Sequence, residues 1–346
     1  MRIGLLGYGF GGRYFHAPLL ASMDATFVGV VTRSPERRRE LAADHPGVPA
    51  FDNLGQMVEA GIDVVVISTA LEGRQQLVLQ AIALGVGVVS DKPFAADAAQ
   101  GQVLIDAATK AGVLLSVYQN RRWDSDFLTL RKLLDSQALG QVRRFESSIE
   151  RFVPGNDGNP SGGGWLRDLG THLVDQALQL FGPVKRVYAE RDRVSDQALD
   201  QGFFVALTHV NGVISHLRAS ALQSAPQPRF RVTGNAGCYT VDGFDGQEAR
   251  VLGGFSPATD GEDWGCEEHR NWGWLVQGDD RERVPSERGC WPRFYQQLQQ
   301  AVTGAGPIPV DPADAVSALR VLDAARASAA LGQVIELAGE HKAGNK

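Results

Sequence analysis

A short apolar run, Ile3 to Leu6, ends in Gly7-Tyr8-Gly9-Phe10-Gly11-Gly12, and a helical stretch through Leu19 and Leu20 follows. Few sequence features narrow the choice of fold as much as this one. The first glycine permits a tight turn, the second lets the backbone approach a diphosphate closely, and the third lets helix and strand pack together. A diphosphate placed there meets backbone N–H groups at the positive end of the helix. No Gly-Lys-Ser/Thr follows, so the phosphate loop of kinase type is excluded. The context, a strand before and a helix after, predicts a dinucleotide site at Gly7, Gly9, Phe10, Gly11 and Gly12.

The next hundred residues alternate in the same way. Thr26 to Val31 is a second strand, and Glu36 to Ala43 reads as a polar helix. Asp63 to Thr69 is an unbroken β-branched run of the kind buried on both faces. A helix over Gln75 to Leu84, a strand over Val86 to Val89, a helix over Ala95 to Ala111 and a strand over Val113 to Tyr118 complete the series. Repeated βα units of this kind imply a doubly wound parallel sheet.

The pattern changes near Asn120. Phe145, Ser147 and Ile149 alternate with Arg144, Glu146 and Ser148, as in a strand with one buried face. Phe203 to Val210 and Val213 to Ser220 flank Asn211-Gly212, a strong hairpin signal. Phe230 to Thr233 and Cys238 to Val241 flank a second turn. The fold class is therefore α/β, with an N-terminal Rossmann domain and a C-terminal α+β domain built on a large, mostly antiparallel sheet. The boundaries are 1–120 for dinucleotide binding and 121–346 for substrate binding and oligomerisation. A terminal helix over 313–335 is expected to pack back on the first domain. Residues 242–288, rich in Gly, Asp and Trp, are expected to form long loops.

Three further segments carry chemistry. The end of the second strand usually bears a carboxylate for the ribose 2′-hydroxyl. Here it reads Thr32-Arg33-Ser34, with Arg37 close behind, and no carboxylate precedes Glu36. Guanidinium and hydroxyl groups suit a 2′-phosphate, so NADP is expected, with NAD possible. Asp91-Lys92-Pro93 follows the strand Val86 to Val89, at the end of the sheet where ligands bind. Only six of the 34 Lys and Arg residues are lysines, so a lysine at that place stands out. Finally, Gly162-Gly163-Gly164 leads into a predicted helix in which Asp168, His172 and Asp175 fall at i, i+4 and i+7, on one face. Leu166, Leu169, Leu173, Ala177 and Leu180 form a separate apolar stripe. A seated helix that aims a histidine and two carboxylates together suits proton transfer.

These residues, in this order, resemble the glucose–fructose oxidoreductase, inositol dehydrogenase and rhizopine-catabolism (Gfo/Idh/MocA) oxidoreductases. The resemblance covers nearly the whole chain and includes the closing run from Ile308 to Ala325. Tyr118-Gln119-Asn120-Arg121-Arg122-Trp123-Asp124 and Asp245-Gly246-Gln247-Glu248 look like the subgroup that contains NADP-dependent scyllo-inositol dehydrogenases. The resemblance implies hydride transfer between nicotinamide and a cyclic polyol or sugar, with Lys92, Asp168 and His172 at the reaction centre. It adds Thr69, Ala70, Asp91, Lys92 and Pro93 to the cofactor set. Asn120, Arg122, Asn156, Asp157, Asp168, His172 and Asp175 are the candidate substrate contacts. Two departures stand out: Asp91 replaces the usual Glu, and Thr69-Ala70-Leu71-Glu72-Gly73-Arg74 replaces the usual Thr-Pro-Asn-x-x-His. Some proteins of this fold are dinucleotide-binding sensors without turnover; the intact Lys92, Asp168 and His172 argue for an enzyme.

Composition bounds the rest. The net charge of −6 implies no affinity for nucleic acid or anionic membranes. The three cysteines, Cys238, Cys266 and Cys290, lack metal-ligand spacing, so no metal site is expected. Met1-Arg2 runs straight into a strand without a cleavage site, and a cytoplasmic protein is the expectation. A sheet with helices for one face only, and with Phe145, Ile149 and Phe204 on the other, leads to the expectation of a homodimer or homotetramer.

Overall fold

The computed structural model describes residues 1–155, 163–195 and 198–337. Asn156 and Asp157 lie outside the described residues. The chain divides into two compact units.

The first unit comprises residues 1–128, 245–267 and 287–316. Its six strands are β1 (Arg2–Leu6), β2 (Thr26–Val31), β3 (Ala50–Phe51), β4 (Val64–Ile67), β5 (Gly87–Ser90) and β6 (Leu115–Val117). They form a parallel sheet in the order β3-β2-β1-β4-β5-β6. Ile3, Leu5, Val65, Val66, Val88 and Val89 have no exposed surface, as strands covered on both faces require. The order reverses between β1 and β4, which places a ligand crevice beyond the carboxyl ends of those two strands. The helices Pro35–Asp44, Leu54–Glu59 and Ala98–Ala111 start where Ser34, Asn53 and Asp97 accept the N–H of the third residue onward.

Two later segments belong to this unit rather than to the second, which corrects the single boundary at 120. Polar bonds inside an apolar core explain their return. Trp291 Nε1 donates to Asp124 Oδ1 at 2.7 Å, and Gln247 Oε1 accepts from both Trp264 Nε1 and the Trp291 N–H. Trp291, Phe294, Tyr295 and Leu298 are fully buried.

The second unit comprises residues 129–244, 268–286 and 317–346. Its strands are β7 (Val142–Glu150), β8 (Val184–Asp192), β9 (Gly202–His209), β10 (Ile214–Ser220), β11 (Phe230–Gly234), β12 (Cys238–Val241), β13 (Gly273–Gln277), β14 (Asp280–Val284) and β15 (Ile335–Glu336). The order is β14-β13-β12-β11-β7-β10-β9-β8-β15, and among these pairs only β7 with β10 is parallel. The expected hairpin is present. Gly212 takes a φ of 90°, and Asn211 Oδ1 accepts the Val213 N–H between β9 and β10.

Two expectations are overturned here. Residues 242–288 are not only loops, since β13 and β14 form a hairpin within them. Phe145 and Ile149 do not lie on an uncovered face. Both are fully buried, and the Phe145 ring packs against Phe181 of the helix Gly170–Phe181 and against Phe230. The alternation is present, but the covered face is the one that carries Phe145 and Ile149. Phe204 sits on the opposite face, beside His216 and Arg218. No helix of the described residues is long and apolar enough to cross a membrane.

Candidate active site

In the first unit the glycine loop is shaped by close approach. Gly7 has a φ of +104°, and a Cβ there would lie 2.2 Å from the Ser68 carbonyl oxygen. At Gly12 a Cβ would lie 2.0 Å from the Gly7 carbonyl oxygen, and at Gly11 it would lie 2.7 Å from Ser68 Oγ. Gly7 and Gly12, which face backbone atoms, admit glycine alone, whereas at Gly11 the Ser68 side chain would have to turn away. Gly9 differs: the nearest atom to its Cβ would be Arg37 Nη2, at 3.6 Å, so this side of the loop is open. Phe10, 64 % exposed, stands at the tip of the loop. A cradle open at Gly9 and closed behind Gly7, Gly11 and Gly12 fits a dinucleotide diphosphate.

The 2′-phosphate candidates sort by what already engages them. Thr32 is buried, and its carbonyl accepts Arg38 Nε at 3.0 Å. Arg38 also pairs with Asp52. Ser34 Oγ caps the helix by accepting the Arg37 N–H. Arg33 and Arg37 are exposed, and their guanidinium groups make no hydrogen bond or ion pair among the described residues. They are therefore available to a ligand.

Asp91-Lys92-Pro93 leaves β5 beside the loop. Asp91 Oδ1 accepts the Lys92 N–H at 2.7 Å, and Oδ2 accepts the Ser68 hydroxyl at 2.8 Å. Burial pushes the Asp91 carboxyl upward, but the bond and charge of His16, with Arg74 and Lys92, hold it below the usual carboxylate range. Arg74, 4 % exposed, donates Nη1 to the carbonyls of Asp91 and Pro93, and Nη2 to that of Thr69. It thus ties the end of β4 to the Lys92 turn. Ala70 is exposed next to Thr69. Lys92 is half-buried.

Asn120 is buried in a 3₁₀ turn after β6. Arg122, in the same turn, is engaged by Asp314 Oδ2 at 3.0 Å. That ion pair gives it a structural use besides the substrate contact expected from the sequence.

In the second unit, the expected single helix is two. Trp165–Asp168 is one turn, and Gly170–Phe181 begins after Leu169. Asp168 therefore closes the first helix, while His172 and Asp175 lie in the second. His172 and Asp175 are 4 % and 2 % exposed, and Asp168 is half-buried. Leu166, Leu173 and Ala177 of the apolar stripe are buried as expected, whereas Leu169 and Leu180 are only partly so.

Sequence reading missed the groups that hold these helices. Asp200 Oδ2 accepts the Leu166 N–H at 2.6 Å, so it caps the short helix that ends in Asp168. Burial raises the Asp200 carboxyl, against the pull of that N–H. Fully buried Arg229 donates to Ser147 Oγ and to Gln176 Oε1, next to Asp175. Nothing in the residues around Arg74, Asp200 and Arg229 marks them as buried, and most of their partners lie 17 to 82 positions away.

Residues 1–119 match the family model described as an oxidoreductase family with an NAD-binding Rossmann fold. Residues 127–240 match the model of a GFO/IDH/MocA C-terminal domain. The chain is 30 % identical to a scyllo-inositol 2-dehydrogenase (NADP(+)) of Bacillus subtilis, over 95 % of this chain and 93 % of the other. It is 33 % identical to an uncharacterised oxidoreductase of Escherichia coli, over 93 % and 94 % of the two chains. The crystal structure of an oxidoreductase from Bacillus cereus superposes with a TM-score of 0.90 at 26 % identity, covering 99 % of each chain.

Proposed function

The chain belongs to the Gfo/Idh/MocA oxidoreductase family, and on that premise we propose that it is an NADP(H)-dependent dehydrogenase of a secondary alcohol in a cyclic polyol or sugar. One observation carries the cofactor part: exposed Arg37 lies at the open side of the glycine loop, its guanidinium unengaged, as is that of exposed Arg33 after β2. The substrate part rests on the relative from Bacillus subtilis, whose name gives scyllo-inositol.

Bound at the loop, the nicotinamide dinucleotide supplies the acceptor or donor for hydride. The chain's own residues do the rest. Backbone N–H groups of the Gly7 to Gly12 loop hold the diphosphate, and Arg33 and Arg37 hold the 2′-phosphate. His172 accepts the proton of the reacting hydroxyl, and Lys92 hydrogen-bonds the same oxygen and offsets its developing negative charge. Asp168 orients His172 or a neighbouring hydroxyl, and Asp175 stands one turn further along. In the reductive direction the proton moves the other way.

The test is absorbance at the reduced-nicotinamide band with a panel of inositols and aldoses, using NADP+ and NAD+ in parallel. Turnover with at least one cyclic polyol or sugar is expected, and faster with NADP+. A panel without turnover in either direction would overturn the enzyme reading. Phe204, on the sheet face opposite Phe145, leads us to expect a closed homodimer or homotetramer. Light scattering at micromolar concentration decides it, and a monomer mass contradicts it.

A further inference from the structure

His16 lies at the end of a π-helical turn, Gly11–His16, which follows the second glycine of the loop. Turns of this kind are rare and concentrate at functional sites, because the wider winding redirects the side chains that follow. Here it delivers an imidazole with no exposed surface to a carboxylate. His16 Nε2 lies 3.4 Å from Asp91 Oδ2, and Nδ1 lies 2.5 Å from the Tyr295 hydroxyl oxygen. The ring packs on Tyr118 at 4.3 Å between centroids. The contact of Nδ1 with the Tyr295 hydroxyl orients the ring so that Nε2 faces Asp91.

Asp91 accepts two hydrogen bonds and faces the imidazole. Oδ1 takes the Lys92 N–H, while Oδ2 takes the Ser68 hydroxyl and faces His16. Gly11 roofs it, since a Cβ there would lie 3.0 Å from Oδ2. A plain core position would take phenylalanine as readily as histidine, and without the expense of burying two polar nitrogens. The chain instead spends a π turn and a tyrosine hydroxyl on orienting this ring. The aspartate is also one methylene shorter than a glutamate, so it has little slack of its own.

We infer that His16 is a positioning residue for the reaction: anchored by Tyr295, it fixes the Asp91 carboxylate, which fixes the backbone from which Lys92 reaches the substrate oxygen. The inference rests on the hydride-transfer reading given above, in which Lys92 serves the reacting oxygen.

Two substitutions separate this role from packing. In His16→Asn the side chain keeps reach to Tyr295 but is too short for Asp91. In His16→Gln an amide nitrogen can occupy the place of Nε2. Displacing Lys92 by a fraction of an ångström is expected to lower kcat of His16→Asn by about 10- to 100-fold, with KM and the NADPH dissociation constant within about threefold of wild type. His16→Gln should recover kcat to within about threefold of wild type, on the same reasoning. If His16→Asn keeps kcat within about twofold, or loses kcat and NADPH affinity together with no recovery in His16→Gln, the inference is wrong.

A second readout does not need turnover. Lys92 is one of six lysines, so its acylation in the cofactor-free protein can be followed against Lys110 by mass spectrometry. The Lys92:Lys110 rate ratio should change by more than about threefold in His16→Asn and return in His16→Gln, since side-chain reactivity follows local environment. An unchanged ratio overturns the positioning role. A wild-type protein that turns over no polyol or sugar overturns the function instead, and the labelling ratio still decides the role of His16.

Discussion

A Cβ placed on Gly9 would come within 3.6 Å of Nη2 of Arg37, so the guanidinium overhangs the one glycine of the loop that is open to a ligand. A phosphate on the ribose 2′-oxygen is the group that such a cation, paired with exposed Arg33, serves best. Replacing Arg33 by Asp removes a charge-assisted contact and adds repulsion. Together these should weaken NADPH binding by on the order of 2–4 kcal/mol. Arg37→Ala should weaken it by about 1–2 kcal/mol, again with little change for NADH. Fluorescence titration with both cofactors measures this. Wild-type kcat/KM that is equal or better with NAD+ would remove the assignment.

Asp245 makes stability depend on pH. Burial raises its carboxyl up to about 7; the charge of Asp126 adds to that, and the Ser125 and Gln247 N–H donors oppose it. Asp124 is raised too, first by burial and then by the charge of Asp245. The native state therefore holds a proton that an unfolded aspartate releases near pH 4. The stability this group contributes is full below about pH 4 and is lost as pH rises toward 7. We expect Tm to fall between about pH 5 and pH 7.5, by an amount reflecting on the order of 1–3 kcal/mol. The fall should be shallower in Asp245→Asn. Equal slopes in thermal melts of the two proteins would contradict this.

Gly164 and Asp200 give a third test. Gly164 has a φ of +90°, and a Cβ there would lie 2.5 Å from Asp200 Oδ1. Gly164→Ala thus meets both an unfavourable backbone region and the capping carboxylate. It should destabilise by about 2–4 kcal/mol. Asp200→Ala leaves the Leu166 N–H buried without its acceptor, which should destabilise by about 1–3 kcal/mol. Both should lower turnover, because the helix they start ends in Asp168. Asp200→Asn, which keeps an oxygen for Leu166, should lie between Asp200→Ala and wild type. Denaturant melts and steady-state rates check the order.

What could be read from the chain was local. Gly7, Gly9 and Gly12 declare a strand–turn–helix because each answers to atoms within one βα unit or its neighbour strand. Asn211-Gly212 declares a hairpin because the turn depends on its own two residues. The Phe145 alternation was equally plain, but which face is covered depends on Phe181 and Phe230, beyond any local pattern. The His16 to Tyr295 contact spans 279 positions, and nothing near either residue announces the other. Arg74 looked like a departure from a familiar motif; in three dimensions it binds three carbonyls of two turns. The break at Leu169 escaped because its backbone angles, φ −90° and ψ −34°, stay near helical values, so periodicity runs on across it.

The reaction centre supplies the last test. Lys92→Ala, Asp168→Ala and His172→Ala should each leave NADPH affinity nearly unchanged, because in the proposed site the backbone groups of the Gly7 to Gly12 loop would hold the diphosphate. Turnover should drop sharply, by about 10²–10⁴ for His172→Ala if His172 is the general base. Replacing Lys92 and His172 together should lower the rate by less than the product of the single effects, as the proposed mechanism, in which both serve one hydroxyl, requires. Wild-type kcat/KM for oxidation should rise with pH as His172 gives up its proton, and that limb should shift or vanish in His172→Ala. For reduction the dependence reverses, because the protonated ring is then the donor. A His172→Ala enzyme with ordinary turnover and an unaltered pH profile would show that the helix Gly170–Phe181 does not carry the base. The glycine loop would then stand as a dinucleotide site whose proton acceptor lies elsewhere.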